Sequence, residues 1–89
     1  MSGPRGVEVS PATVRQLVTE IVGEEALVGA DDDEPLFERR LLDSLNLVTI
    51  MAAMEERFNI QIASEDLTPD NFRSIDSMTQ FVSVKQARR

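Results

Sequence analysis

The chain has 89 residues, of which 42% are apolar, and a formal net charge of −7. This length is enough for one small domain and leaves no room for an active-site cleft between two domains. His and Cys are absent, which excludes the usual neutral-pH general base, a thiol nucleophile and the nitrogen and sulfur ligands of transition metals. The negative charge opposes binding to nucleic acid or anionic membranes and favours a monomer. We therefore expect no catalytic residue, no metal ion, and a location in a reducing compartment, the cytoplasm.

The amino-terminal part contains one clear helix signal. Residues 1–9 contain no long apolar run and are predicted to form a flexible leader. Ser10 followed by Pro11 is typical of a helix start, because Ser accepts a hydrogen bond from a free amide and Pro has no amide to leave unpaired. Apolar residues then repeat with helical spacing, which predicts a first helix from about Pro11 to Glu24 or a few residues beyond.

The segment between Gly29 and Leu42 loses this periodicity. Its first half is polar and contains a proline, so it is predicted to be a long loop. The apolar residues of its second half are expected to pack against the helices and hold the loop in place, which would distinguish it from a free linker. They are Leu36, Phe37, Leu41 and Leu42.

An acidic run at residues 31–34 suggests a cation site, because calcium and magnesium bind carboxylate oxygens. An EF-hand loop counted from Asp31 requires Gly at its sixth position and Glu at its twelfth, where this chain has Leu36 and Leu42. A solvated acidic loop is therefore the preferred interpretation. A metal-responsive regulator is the alternative, and titration with calcium and magnesium would test it.

The clearest helical periodicity runs from Ser44 to Phe58 and predicts the second helix. A cap-then-proline signal recurs at Thr68 and predicts a short third helix. Residues 74–77 offer a further cap before a final helix that ends at about Gln86. Residues 87–89 are expected to fray, so the folded domain is predicted over residues 10–86.

The tripeptide Asp43-Ser44-Leu45 lies where the long loop meets the second helix. In one interpretation, Asp43 or Ser44 is simply the N-cap of this helix. A serine at a helix start is also well placed to receive a phosphate, because free amides and the positive end of the helix dipole stabilise negative charge. The chain has no His or Cys to activate Ser44, so another enzyme would supply the chemistry.

The second helix also carries a second apolar strip, offset from its core-facing stripe and formed by Leu45, Val48 and Ala52. Either this helix is central and buried on several faces, or the strip beside the serine is a docking patch for a partner. Glu55 and Glu56 would add negative charge at the edge of such a patch.

Taken together, these features resemble an acyl carrier protein of the phosphopantetheine-binding family. The resemblance covers roughly residues 10–84 and is carried by residues 41–45, 51–58, 60–62, 67–72 and 74–78. It implies an all-α fold, a four-helix acyl-carrier-like bundle with three main helices, a short third helix and a long loop between helices one and two.

The resemblance also implies that a separate phosphopantetheinyl transferase attaches 4′-phosphopantetheine from coenzyme A to Ser44, between Asp43 and Leu45. Acyl or aminoacyl groups would then travel as thioesters on the cofactor thiol, so the chain would be a carrier and a substrate rather than an enzyme. Its partners would include an acyltransferase, a ligase or adenylating enzyme, or a ketosynthase. The surface presented to them would comprise Leu45, Val48, Ala52, Glu55 and Glu56.

Two positions depart from the pattern of many fatty-acid carriers, which have acidic residues where this chain has Asn46 and Thr49. This departure weakens charge-based docking to basic fatty-acid synthase enzymes. It favours a stand-alone carrier for polyketide or nonribosomal peptide assembly. A D-alanyl or other aminoacyl carrier is an alternative within the family. A non-carrier helical interaction module, in which Ser44 only caps the helix, is an alternative of a different class.

Some carriers of this family shelter their cargo among the helices. The flexible side chains of Met51, Met54 and Met78 would permit such sheltering here. Ordinary filling of the core is the simpler interpretation of these three methionines.

Overall fold

The computed structural model describes residues 8–88. The regular secondary structure in that range is entirely helical. Its α-helices are α1 (Pro11–Val22), α2 (Ser44–Phe58) and α3 (Ile75–Ala87). Short 3-10 helices occupy the connections, at Glu24–Leu27, Ser64–Asp66 and Pro69–Phe72. The predicted all-α bundle is confirmed, with Pro69–Phe72 as its short third helix and a long loop between α1 and α2. Of the predicted leader, residues 1–7 lie outside the described residues.

Side-chain caps start the helices where the sequence predicts them. The Ser10 Oγ accepts a hydrogen bond from the Thr13 amide at 3.2 Å, and the Thr13 Oγ1 accepts one from the Ser10 amide at 2.9 Å. This reciprocal pair is a capping box. Ser74 caps α3 by accepting from the Ser77 amide at 3.1 Å, and Thr68 caps the short third helix.

The helix ends agree less closely with the sequence. α2 ends at Phe58 as predicted, whereas α3 continues one residue beyond Gln86, to Ala87. α1 stops at Val22 instead of reaching Glu24, because Gly23 has a φ of +101° and directs the chain out of the helix. The chain then re-enters helical geometry as the 3-10 segment.

The core is aliphatic with added Met and Phe side chains and draws on every α-helix. Its largest fully buried side chains are Val14, Leu17, Val18, Leu36, Ile50, Met54, Phe58, Phe72, Ile75, Met78 and Val82. Phe72 also packs against Phe81 with ring centroids 5.2 Å apart, which ties the short third helix to α3.

Three of the four apolar loop residues anchor the loop as predicted. Leu36 and Leu42 are buried, and Leu41 packs against the core. The prediction for Phe37 is wrong, because its side chain is 38% exposed.

The local backbone explains why these neighbours differ. Residues 35–39 form one helical turn, which ends at Arg40 with a left-handed φ of +61°. The Leu41 amide donates to the Leu36 carbonyl at 2.8 Å and the Arg40 amide donates to the Phe37 carbonyl at 2.9 Å, the two bonds of a Schellman motif. Successive residues of a helical turn face different directions, so Leu36 enters the core and Phe37 stays at the surface.

Because a left-handed conformation is unfavourable for a side chain with a Cβ, Arg40→Gly is expected to stabilise the protein. The free energy of unfolding should rise by up to about 1 kcal/mol in urea titrations. The matched control is Arg39→Gly, since Arg39 does not have a positive φ and gains nothing from glycine. A loss of stability in Arg40→Gly would contradict this account of the turn.

Candidate functional site

Ser44 is the first residue of α2 and is exposed. The N-cap of the helix is Asp43, whose Oδ1 accepts a hydrogen bond from the Asn46 amide at 2.8 Å. Within residues 8–88 the Ser44 hydroxyl has no hydrogen-bond partner. The interpretation in which Ser44 merely caps the helix is therefore wrong, and its hydroxyl is free for modification.

The start of α2 favours a negatively charged group on Ser44. The amides of the first helical turn have no partner within the helix, and Asp43 satisfies only the one that belongs to Asn46. The remaining amides and the positive end of the helix dipole stabilise an anion at this position. The phosphate of a phosphopantetheine arm is such an anion, so Ser44 and its surroundings fit this group.

The apolar strip of α2 lies on the surface. Leu45 is 75% exposed and Val48 is 58% exposed, while Ala52, Glu55 and Glu56 are exposed as well. The interpretation of α2 as a helix buried on several faces is therefore wrong. Glu55 is held in place because its Oε2 accepts a hydrogen bond from the Ile62 amide at 2.8 Å.

A cavity of about 780 Å³ opens beside Ser44, between the loop, α2 and residues 67–73. This volume lies in the range of small-molecule sites. Ser44 itself lines the cavity, and the apolar part of the wall includes Phe37, Leu47, Met51, Leu67 and Phe72. The sequence did not predict this cavity. The signal that could have indicated it is the presence of isolated apolar residues, such as Leu67, in polar segments.

The structure separates the three methionines that the sequence grouped together. Met51 lines the cavity and is half-buried. Met54 and Met78 are fully buried in the core, so they fill space between helices and do not border the cavity.

An ion pair connects α3 to the 3-10 helix Ser64–Asp66, which directly precedes the cavity residue Leu67. Lys85 of α3 donates to the Asp66 carboxylate at 2.8 Å, and the Ala63 amide donates to the same oxygen at 2.8 Å. The hydrogen bond from Lys85, followed by that from the Ala63 amide, lowers the pKa of Asp66 from its ordinary value of 3.8. The 3-10 helix that precedes Leu67 is thereby attached to α3.

This ion pair predicts a pH dependence of stability. The pKa of Asp66 is lower in the folded state than in the unfolded state. The contribution of the ion pair to the free energy of unfolding is therefore fully present above pH 3.8 and is lost as the pH falls through the folded-state pKa. Asp66→Asn should therefore be less stable than the native chain near neutral pH. The difference should shrink steadily in urea titrations below pH 3.8. Asp70→Asn, at an exposed position nearby, is the control and should show no such convergence.

The acidic run lies in the loop, and two of its four residues form ion pairs. Arg15 of α1 donates to the Asp32 carboxylate at 3.0 and 3.1 Å, and Arg39 pairs with Glu34. Asp31, Asp33 and Glu34 place one carboxylate oxygen each within 4.8 Å of one another. Asp31 and Asp33 are exposed and Glu34 is half-buried, and exposed acidic groups of this kind are common without a metal ion.

Within residues 8–88, none of the helices has the length and apolar character required to cross a bilayer.

Comparison with known families identifies the chain. The family model described as a phosphopantetheine attachment site matches residues 12–82, a span that contains Ser44, all of α2 and nearly all of α1. No curated protein sequence matches the chain significantly. Members of this family are carriers that hold a covalent 4′-phosphopantetheine, and they interact with a phosphopantetheinyl transferase and with pathway enzymes. The family model covers most of the chain, and the structure is the helical bundle expected for such a carrier. The chain therefore belongs to the phosphopantetheine attachment site family.

Proposed function

We propose that Ser44 is the attachment residue and that the chain carries acyl or aminoacyl thioesters between the enzymes of a polyketide or nonribosomal peptide pathway. The observation that carries the attachment site is the exposed Ser44 hydroxyl, left free because Asp43 caps α2. In the transfer, the Ser44 oxygen forms a bond to the phosphorus of the pantetheine half of coenzyme A. The P–O bond within the pyrophosphate of coenzyme A breaks, the adenine nucleotide half leaves with the bridging oxygen, and the hydroxyl proton passes to a base of the transferase.

The residues on either side of Ser44 have separate roles in this proposal. Asp43 is a positioning residue, because its carboxylate holds the first turn of α2 in place. Leu45 projects into solvent next to the attachment point and provides an apolar contact for the transferase.

The same face of α2 is the proposed docking surface for pathway enzymes, which include an acyltransferase, a ligase or adenylating enzyme, or a ketosynthase. Leu45, Val48 and Ala52 provide its apolar part near the attachment point. Glu55 and Glu56 provide negative charge at the far end of the helix, which suits a partner with a basic rim.

The pathway assignment is supported by the character of the first two turns of α2. Within this helix, the positions near Ser44 include uncharged Asn46 and an exposed Thr49, whose Oγ1 donates to the Leu45 carbonyl at 3.3 Å. Docking beside the serine therefore relies on apolar contact rather than on charge. The absence of Cys supports a reducing compartment, and we place the pathway in the cytoplasm.

Loading the chain tests the attachment site. The apo protein is incubated with coenzyme A, magnesium and a broad-specificity phosphopantetheinyl transferase, and its intact mass is measured. One phosphopantetheine should be added, and peptide mapping should place it on Ser44. A folded sample that gains no mass, or gains it at another residue, would contradict the proposal.

A charge substitution tests the pathway assignment. Asn46→Asp combined with Thr49→Glu is expected to improve kcat/KM with a basic fatty-acid synthase acyltransferase by about tenfold at low salt, because opposite charges speed encounter. Most of this gain should disappear at high salt, where exposed charges are screened. Asn46→Gln combined with Thr49→Gln is the uncharged control. Efficient, salt-sensitive use of the native chain by the same enzyme would refute the assignment.

A further inference from the structure

Most basic side chains in the described part of the chain are paired with a carboxylate. The paired ones are Arg15, Arg39, Arg57 and Lys85. The Arg73 guanidinium differs, because it makes neither an ion pair nor a hydrogen bond with any residue from 8 to 88. The chain has sixteen acidic and nine basic residues, so a shortage of carboxylates does not explain this. Arg40 and Arg88 are likewise unpaired over this range, but only Arg73 lies on the cavity wall that Ser44 also lines.

The backbone of Arg73 is held firmly while its side chain is exposed. The Arg73 carbonyl accepts a hydrogen bond from the Leu36 amide at 2.8 Å, and Leu36 is anchored in the core. The neighbours of Arg73 in the chain, Phe72 and Ser74, are both buried. The guanidinium is therefore carried on a fixed base beside Ser44, and its long side chain is free to turn towards a group attached there.

The charges around Ser44 give a cation at this position a specific use. Glu38 and Asp70 line the cavity, and Asp43 directly precedes Ser44. A phosphodiester on Ser44 would add a further negative charge to these carboxylates. Among the described residues that line the cavity, Arg73 is the only cation. A planar guanidinium suits a phosphate, because it donates parallel hydrogen bonds to two oxygens.

We propose that Arg73 binds the phosphate of the arm on Ser44, by donating hydrogen bonds to the phosphate oxygens that carry no ester bond. The inference rests on the proposed loading of Ser44. The pair holds the base of the arm on the side of the short third helix, Pro69–Phe72, which Arg73 follows directly. It leaves Leu45 open to a partner enzyme. A carboxylate of such an enzyme is the competing ligand for Arg73.

Nuclear magnetic resonance of the arginine side chains gives a direct test. The ¹⁵N-labelled chain is loaded from coenzyme A by a transferase, and loading is verified by intact mass. At mildly acidic pH, where guanidinium protons exchange slowly with water, the Nε–H signal of Arg73 should move on loading. The signal of Arg88 is the internal control and should stay in place, because Arg88 lies outside this cavity wall. Arg73→Gln and Arg88→Gln assign the two signals.

Melting temperatures measure the same contact as a difference between apo and loaded forms. At low salt, the change on loading should be about 2 °C more favourable in the native chain than in Arg73→Gln. The difference should disappear at high salt, where exposed charges are screened. Arg73→Lys should keep part of it, and Arg88→Gln should respond to loading like the native chain. Comparing the two forms of one variant cancels any effect of the substitution on the fold.

A charge placed at residue 44 tests the contact without a transferase. Ser44→Glu carries a carboxylate at the attachment position, and Ser44→Gln is its uncharged control. Arg73→Gln should lower the melting temperature of Ser44→Glu by about 1 °C more than that of Ser44→Gln at low salt.

The outcomes separate this inference from the proposed attachment site. A chain that loads at Ser44 without a change in the Arg73 signal or in the melting comparison overturns the role of Arg73 and leaves the attachment site intact. An Arg73 signal that moves only when a partner enzyme is added assigns Arg73 to that enzyme and also overturns the inference. A folded chain that cannot be loaded overturns the attachment site, and coupling in Ser44→Glu would then show an anion site for which the arm is not the ligand.

Discussion

Replacing Ser44 with Ala is expected to abolish phosphopantetheine attachment completely while changing the free energy of unfolding by less than about 0.5 kcal/mol. The loss of attachment follows because the variant lacks the oxygen that forms the bond to phosphorus. The small stability change follows because Asp43, not Ser44, caps α2, and alanine is a good helix former at an exposed position. Intact mass measures loading, and urea titration measures stability.

Variants at Asp43 and at Ser83 are the controls for this prediction. Asp43→Ala removes the cap and should destabilise the protein by about 1 kcal/mol while keeping the attachment hydroxyl, whereas Asp43→Asn should retain most of the cap. Ser83→Ala removes another exposed serine, on α3, and should load like the native chain. Residual loading of Ser44→Ala would show that the attachment residue lies elsewhere. A loss of about 1 kcal/mol in the same variant would show that Ser44 does act as a cap.

The second large effect is a loss of stability on replacing Met54, one of the two methionines of α2. Met54→Ala should lower the free energy of unfolding by about 2–5 kcal/mol, because the Met54 side chain is fully buried and its removal leaves a cavity in the core. Met51→Ala is the matched control on the same helix, three residues away. It should cost less than about 1.5 kcal/mol, because Met51 already borders an open cavity and is only half-buried.

Urea titration of both variants compares them directly, and the unfolding slope shows whether each remains a two-state folder. Equal losses for the two substitutions would contradict the separation of the closed core around Met54 from the open cavity that Met51 borders.

Much of this fold follows from local sequence signals. Ser10 and Thr68 each cap the helix that the sequence assigned to them, and Ser74 is the cap within the predicted range 74–77. The bounds of α2 agree with its apolar periodicity. Capping depends on one side chain and an amide two or three residues away, so the information is contained in a few neighbouring positions. The resemblance to a phosphopantetheine carrier needed more than the residues around Ser44, because it depends on the order and spacing of segments between residues 41 and 78.

The position of a helix end is also local in origin but was harder to predict. α1 stops before Glu24 because Gly23 takes a positive φ, and glycine permits that conformation without requiring it. A glycine in the sequence therefore marks a place where a helix can end.

The sequence by itself determined the helical class and the caps Ser10 and Thr68, and it indicated the proposed attachment motif at the start of α2, because each depends on neighbouring residues. The sequence left the cap of α2 open between Asp43 and Ser44, and the structure assigns it to Asp43. Only the tertiary structure decided that Leu45 and Val48 face solvent. It also decided that Phe37 borders a cavity while Leu36 enters the core. Periodicity shows which helix faces are apolar, but whether such a face is covered depends on which distant elements pack against it.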